Sequence, residues 1–113
     1  MADKIATVKE YFDRLAERFV ASAAKGVNAV FQFDISGPTG GVWHVVVQDG
    51  GMQVETGPHP SPSATVTASD TDYVQIANGD INGLRAVMTR RMKVAGNLVM
   101  ARKMQHILPT GNI

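Results

Sequence analysis

Apolar residues recur at spacings of three and four through residues 3 to 25, at Ile5, Val8, Phe12, Leu15, Phe19 and Ala23. That rhythm predicts one amphipathic helix, capped by Asp3 and ended by Gly26. Its charged positions pair both favourably (Glu10–Arg14) and unfavourably (Asp13–Glu17), so burial of the Phe and Leu stripe must hold it. The period then changes to two. Ala29, Phe31, Phe33 and Ile35 alternate with Val30, Gln32, Asp34 and Ser36, which predicts a strand with one buried face. "SGPTGG" (36–41) is a turn. A second strand follows in "VWHVVVQ", with Trp43, Val45 and Val47 on the drier side and His44 on the wetter one. "QDGGM" (48–52) predicts a tight hairpin into a third strand through Met52, Gln53, Val54 and Glu55.

"TGPHPSPS" (56–63) carries three of the five prolines and predicts an exposed loop. "ATVTAS" (64–69) is β-branched and alternating, a fourth strand. A short helix follows, capped by Ser69 or Asp70 and ended by Asn78-Gly79. Another fits Asn82 to Thr89, then a short fifth strand in "RMKVAG", then a last helix capped by Asn97 and stopped by Pro109. The order α-β-β-β-β-α-α-β-α predicts an α+β fold: a five-stranded, largely antiparallel sheet covered on at least one face by helices.

Length and composition narrow the class. The 113 residues are expected to form one domain, with its core over roughly 5 to 108. At 44% hydrophobic the chain is not disordered. It contains no cysteine, which rules out disulfides, thiol nucleophiles and Cys-bound metal. No stretch approaches the roughly 18 apolar residues of a membrane span, and Met1 to Glu10 has no signal-peptide core. A soluble, cytoplasmic protein is expected.

Charge is lopsided. Residues 1 to 80 hold all ten acids and five basic residues; residues 81 to 113 hold Arg85, Arg90, Arg91, Lys93, Arg102 and Lys103 and no acid. The imbalance points to an anionic partner near the C-terminal third, or else to a solvated basic face. A nucleic-acid partner is disfavoured, because residues 81 to 113 contain no Phe, Tyr or Trp for base stacking.

The search for catalysis is empty. His44, His59 and His106 lie in different elements without a metal-like neighbour at i+3 or i+4, so neither metal nor catalytic histidine is expected. Asp70 and Asp72 are explained by helix capping. No Gly-x-Ser-x-Gly motif or phosphate loop occurs, and no cofactor is implied. The apolar inventory says more. Met88, Met92, Met100 and Met104 fall within seventeen residues of one another, and methionine adapts to varied apolar ligands as well as filling cores. The last helix is apolar over more of its girth than one contact needs, so it requires a second apolar neighbour: core, lipid, another protomer or a membrane.

"MKVAGNLVMARKMQHI" (92–107) resembles the closing motif of the sterol carrier protein type 2 family, a strand with Lys, then Gly-Asn, then a helix carrying Ala-x-Lys-Leu/Met-Gln. The matched positions are Lys93, Gly96, Asn97, Ala101, Lys103, Met104 and Gln105. "FQFDISG", "VWHVVVQDGG" and "TVTASDTDYVQIANG" also resemble that family, so the likeness covers roughly residues 5 to 108. The resemblance implies an apolar tunnel between helices and sheet. The tunnel would hold a fatty acid, fatty acyl-CoA, sterol or phospholipid, with no catalytic residues. Two departures stand out. Arg90 occupies a position where relatives commonly have Gly, and the chain ends in Gly111-Asn112-Ile113, not a peroxisomal tripeptide. The second favours a cytoplasmic member and acyl lipids over sterol.

The candidate cavity residues follow element by element. They are Phe12, Leu15 and Phe19 of the first helix, and Phe33, Ile35, Trp43 and Val45 of the strands. The later helices add Leu84, Val87 and Met88, then Leu98, Met100, Met104 and Ile107. Arg90, Arg91, Lys93, Arg102 and Lys103 are candidates for an anionic head group or for contact with an anionic membrane. The alternative function is a protein-interaction or dimerisation module built on the broad apolar last helix.

Overall fold

The strands meet in the order β3-β2-β1-β4-β5, where β1 is Ala29–Ser36, β2 Gly41–Gln48, β3 Gly51–Thr56, β4 Ala64–Ser69 and β5 Met92–Gly96. This computed structural model describes residues 5–108, the side chain of Gln105 excepted. Three pairings are antiparallel; β1 and β4 run parallel. The register sets Phe31 beside Val45 and Ala64, and Phe33 beside Trp43 and Val66, so one face gathers the apolar members of every strand. Asp49 and Gly50 both have positive φ (53° and 76°), the geometry of the tight hairpin turn that "DGG" predicts.

The helices are α1 (Val8–Asp13), α2 (Ala21–Ala24), α3 (Asp70–Ala77), α4 (Gly83–Met88) and α5 (Leu98–Ile107). The core lies between them and the apolar sheet face, around Tyr11, Leu15, Phe31, Phe33, Val45 and Val66, all 1% exposed or less. From β1 onward the element order, and the largely antiparallel α+β sheet, are as the periodicity predicts. The expected caps Ser69 and Asn97 agree as well, and Asn82 proves to be a third. Ser69 accepts from the Asp72 amide, Asn82 from Leu84 and Arg85, and Asn97 from Val99 and Met100.

The first helix is the largest departure. The expected helix over 3 to 25 is broken into α1, a 3₁₀ turn at Leu15–Glu17 and α2. Thr7 is the N-cap, and Asp3 lies outside the described residues. The break has tertiary causes. Arg18, 4% exposed, turns inward and its Nη1 donates to the Ala77 carbonyl at 2.8 Å. The Val20 amide donates to the Ile107 carbonyl at 2.9 Å, fixing the chain to the end of α5. A straight helix makes neither bond. Gly26, with φ 76°, does follow α2 as a left-handed terminator. Pro109, expected to stop α5, lies outside the described residues; the helix ends at Ile107 with Leu108 as its cap.

The proline-rich loop also departs from a simple exposed excursion. It crosses the sheet face opposite the helices, where the His59 amide donates to Gln32 Oε1 at 2.9 Å and the Ser63 amide to the Val30 carbonyl at 2.7 Å. His44, expected on a wet face, is therefore buried. Its Nδ1 lies 2.8 Å from the Gly57 carbonyl and its Nε2 3.0 Å from Glu55 Oε2. His59 stacks edge-on against it, and His106 is exposed on α5.

Candidate functional site

A cavity of about 720 Å³ lies between the helices and the β1-β4-β5 side of the sheet. Its size is within the range of small-ligand sites. The sheet contributes Phe33, Val66, Met92 and Val94; α1 contributes Tyr11; α3 contributes Tyr73 and Ile76. The remaining wall comes from Asn82, Gly83, Leu84 and Val87 around α4, and from Leu98, Ala101, Arg102, Met104 and Leu108 at α5. The lining is graded. Tyr11, Phe33, Val66, Tyr73 and Ile76 are buried and form the floor. Leu84 and Leu98 are 66% and 73% exposed, so the mouth opens between α4 and the first turn of α5.

Local sequence explains the opening. Asn82 and Asn97 start α4 and α5 at points where each helix's first apolar residue, Leu84 or Leu98, still overhangs solvent. Small residues, Gly83 and Ala101, stand where larger side chains would close the space. The floor is uncharged. The Tyr11 and Tyr73 rings meet edge-to-face at 5.2 Å. Burial pushes the Tyr11 phenol above its ordinary pKa. Burial, then the adjacent Tyr11, pushes Tyr73 well above it. Both stay neutral at working pH, as an apolar end requires.

Of the expected cavity residues, Phe33, Leu84, Val87, Leu98 and Met104 line this space. Phe12, Leu15, Ile35, Val45 and Ile107 do not; they fill the core. Phe19, Trp43 and Met100 pack half-buried against that core, with Trp43 stacked on Phe12 at 4.6 Å between ring centroids. Met88 is 75% exposed and is not part of the lining. Of the basic set, Arg102 stands at the mouth, while Arg90, Arg91, Lys93 and Lys103 are exposed outside the lining. Sequence reasoning passed over Tyr11, Val66, Tyr73, Ile76, Met92, Val94 and Ala101. For Val66, Met92 and Val94 a signal existed, since each belongs to the same alternating apolar face as Phe33.

Asp70 is also placed differently. Ser69 caps α3, and Asp70 instead accepts from the Thr39 hydroxyl (2.7 Å), the Thr39 amide (2.9 Å) and the Thr71 amide (2.8 Å). The bond from the Thr39 hydroxyl, then those from the two amides, lowers its pKa. Gly37 lies so close that a Cβ there would meet the Asp70 carboxylate. Asp70 thus ties the β1–β2 turn to α3. Among the described residues no group of three or more His, Asp or Glu is placed to hold a metal, and no helix is long and apolar enough to cross a membrane.

The profile of the SCP-2 sterol transfer family matches residues 8–109. The chain is 30% identical over 103 residues to hydroxysteroid dehydrogenase-like protein 2 of Pongo abelii, covering 89% of this chain and 24% of that protein. It is 32% identical over 94 residues to sterol carrier protein 2 of Gallus gallus, covering 80% and 16%. It thus spans a quarter or less of these curated relatives. The solution structure of sterol carrier protein domain 2 of Helicoverpa armigera superposes with a TM-score of 0.75 at 25% identity, over 89% of this chain and 84% of that one. Palmitated SCP2L2 of Aedes aegypti superposes with a TM-score of 0.74 at 23% identity, over 96% and 99%. The matched profile, taken with the five-stranded sheet and its helical cover, places this chain in the SCP-2 sterol transfer family.

Proposed function

We propose that this chain is a non-catalytic lipid-binding and transfer domain of the cytoplasm that takes one alkyl tail into the cavity, tail at the Tyr11–Tyr73 floor and polar end at Arg102. The observation that carries this reading is the grading of the lining: neutral and buried at one end, open and basic at the other. The driving force is removal of apolar surface from water, about 0.8 kcal/mol per buried CH₂. Ten methylenes contribute ~8 kcal/mol before ordering costs, so the affinity is micromolar at best. Fatty acids and fatty acyl-CoA fit the arrangement best, because a single tail ends in an anion that Arg102 can meet. Sterols and phospholipids are the competing ligands. The palmitated state of the Aedes aegypti neighbour supports palmitate as the first probe.

The test is a titration with a fluorescent fatty acid, followed by displacement with palmitate, palmitoyl-CoA and cholesterol. Saturable one-to-one binding displaced by the acyl ligands supports the reading. Absence of saturable binding by any of them overturns it.

A further inference from the structure

The methionine cluster of the C-terminal third divides in the structure. Met92 and Met104 line the cavity, Met100 packs half-buried against the core outside that lining, and Met88 is 75% exposed. Met92 enters from β5, where Ala68 is its partner in register, and Met104 enters from α5, one turn beyond Ala101. Gly83 puts no side chain over Met92: a Cβ there would meet the Met92 methyl at 4.0 Å. The two thioethers therefore face one apolar space, from sheet and from helix. Both are half-buried, less exposed than Leu84 and Leu98 at the mouth and more exposed than the Tyr11–Tyr73 floor. They are sheltered from dissolved oxidants yet open to a bound tail. The chain has no cysteine, so among the described residues these thioethers are the two-electron reductants that line the cavity.

We propose that the cavity reduces lipid hydroperoxides: a fatty acid carrying a hydroperoxide on its tail binds as an ordinary fatty acid does and transfers its outer oxygen to Met92 or Met104. The proposal rests on the reading of the cavity as a lipid site and adds a reaction to it. A sulfur lone pair attacks the outer oxygen of the –O–OH group, the O–O bond breaks and an S–O bond forms. The proton of that outer oxygen passes to the oxygen left on the tail. The hydroperoxide is reduced to an alcohol and the methionine is oxidised to its sulfoxide, two electrons in each case, and no further reductant enters. Each methionine reacts once. Position selects the substrate. A tail anchored between mouth and floor holds its middle carbons at the level of the two sulfurs, so the encounter becomes effectively intramolecular. A hydroperoxide without a tail meets methionines according to their exposure instead, Met88 first.

The experiment incubates the full chain, with a metal chelator present, with linoleic acid hydroperoxide and separately with tert-butyl hydroperoxide. Peptide mass spectrometry locates the sulfoxides, chromatography counts the hydroxy acid formed, and displacement of a fluorescent fatty acid measures occupancy. With linoleic acid hydroperoxide, sulfoxide is expected at Met92 and Met104 at least about tenfold faster than at Met88 or Met100. One hydroxy acid is expected per sulfoxide, and excess palmitate is expected to abolish the preference. With tert-butyl hydroperoxide Met88 is expected to lead. Leucine conserves the volume of methionine, so a Met92→Leu, Met104→Leu double variant is expected to fold. Its hydroxy acid formed per bound hydroperoxide is expected to fall at least about fivefold. Oxidation in order of exposure by both reagents, sulfoxide without matching hydroxy acid, or a double variant as fast as wild type per bound ligand overturns the proposal. Failure of the proposal alone shows as saturable binding of linoleic acid hydroperoxide with Met92 and Met104 left unoxidised. Failure of the cavity reading shows as no saturable binding of that ligand or of palmitate, which overturns both.

Discussion

Arg18 reaches from the turn after α1 to the carbonyl oxygen of Ala77 at the end of α3, 2.8 Å from its Nη1. Its guanidinium also lies 5.6 Å from the centre of the Tyr11 ring. The last turn of α3 contains no basic residue of its own, so Arg18 supplies the cation that its C-terminal dipole favours. Arg18→Met keeps the bulk but leaves a buried carbonyl without this donor. A loss of about 2 kcal/mol in urea unfolding is expected. Unchanged stability would show that the contact contributes nothing.

Asp70 gives the fold an acid-sensitive fastening. Its folded pKa is lowered, chiefly by the Thr39 hydroxyl and then by the amides of Thr39 and Thr71. A depressed carboxylate stabilises above its unfolded pKa, near 3.9, and that contribution is lost as pH falls through the lower folded value. Asp70→Asn is therefore expected to be less stable than wild type at neutral pH, with the gap closing below about pH 4. Urea midpoints across that range measure it; a gap that does not narrow on acidification contradicts the assignment.

Arg90 has φ 64° and is exposed, a conformation that costs a side-chain-bearing residue about 1 kcal/mol relative to glycine. Arg90→Gly is expected to raise stability by roughly that amount in thermal unfolding, less the entropy glycine adds to the unfolded chain. Gly96→Ala is expected to act oppositely. At φ 98° a Cβ would sit 2.7 Å from the Ser63 carbonyl oxygen, where the Asn97 amide also donates. A loss of about 2 kcal/mol follows from strain and contact together. Equal responses at the two positions would contradict the geometry.

Ala101 leaves room in the cavity wall that an indole would occupy. Ala101→Trp is expected to weaken palmitate binding at least about tenfold while the far-UV spectrum and cooperative unfolding persist. Wild-type affinity in a folded variant would place the tail elsewhere.

The strands were legible because period two survives in every tertiary setting: Phe31, Phe33 and Ile35 share a face wherever the sheet lies. Asn97 was legible as a cap for a similarly local reason. The first helix was misread because Arg18 and Val20 answer to partners at Ala77 and Ile107, which no local pattern reveals. His44 was misjudged because its cover comes from a loop thirteen residues on, at Gly57. The candidate site was half legible. Apolar character marks Phe12 and Phe33 equally. Only their placement separates a core residue stacked on Trp43 from one that faces empty space. Tyr11 and Tyr73 gave no signal as a pair, being sixty-two positions apart.

The central claim is that an alkyl tail enters the space bounded by α3, α4, α5 and the sheet. Methyl-resolved NMR of the full chain titrated with palmitate tests it most directly. Methyls of Ile76, Val87, Val94 and Leu108, which line the cavity, are expected to shift in saturable, one-to-one fashion, while those of Val8, Val45 and Val47, buried elsewhere in the core, stay in place. Palmitate that leaves the four lining methyls unmoved, or shifts both sets alike, would contradict it.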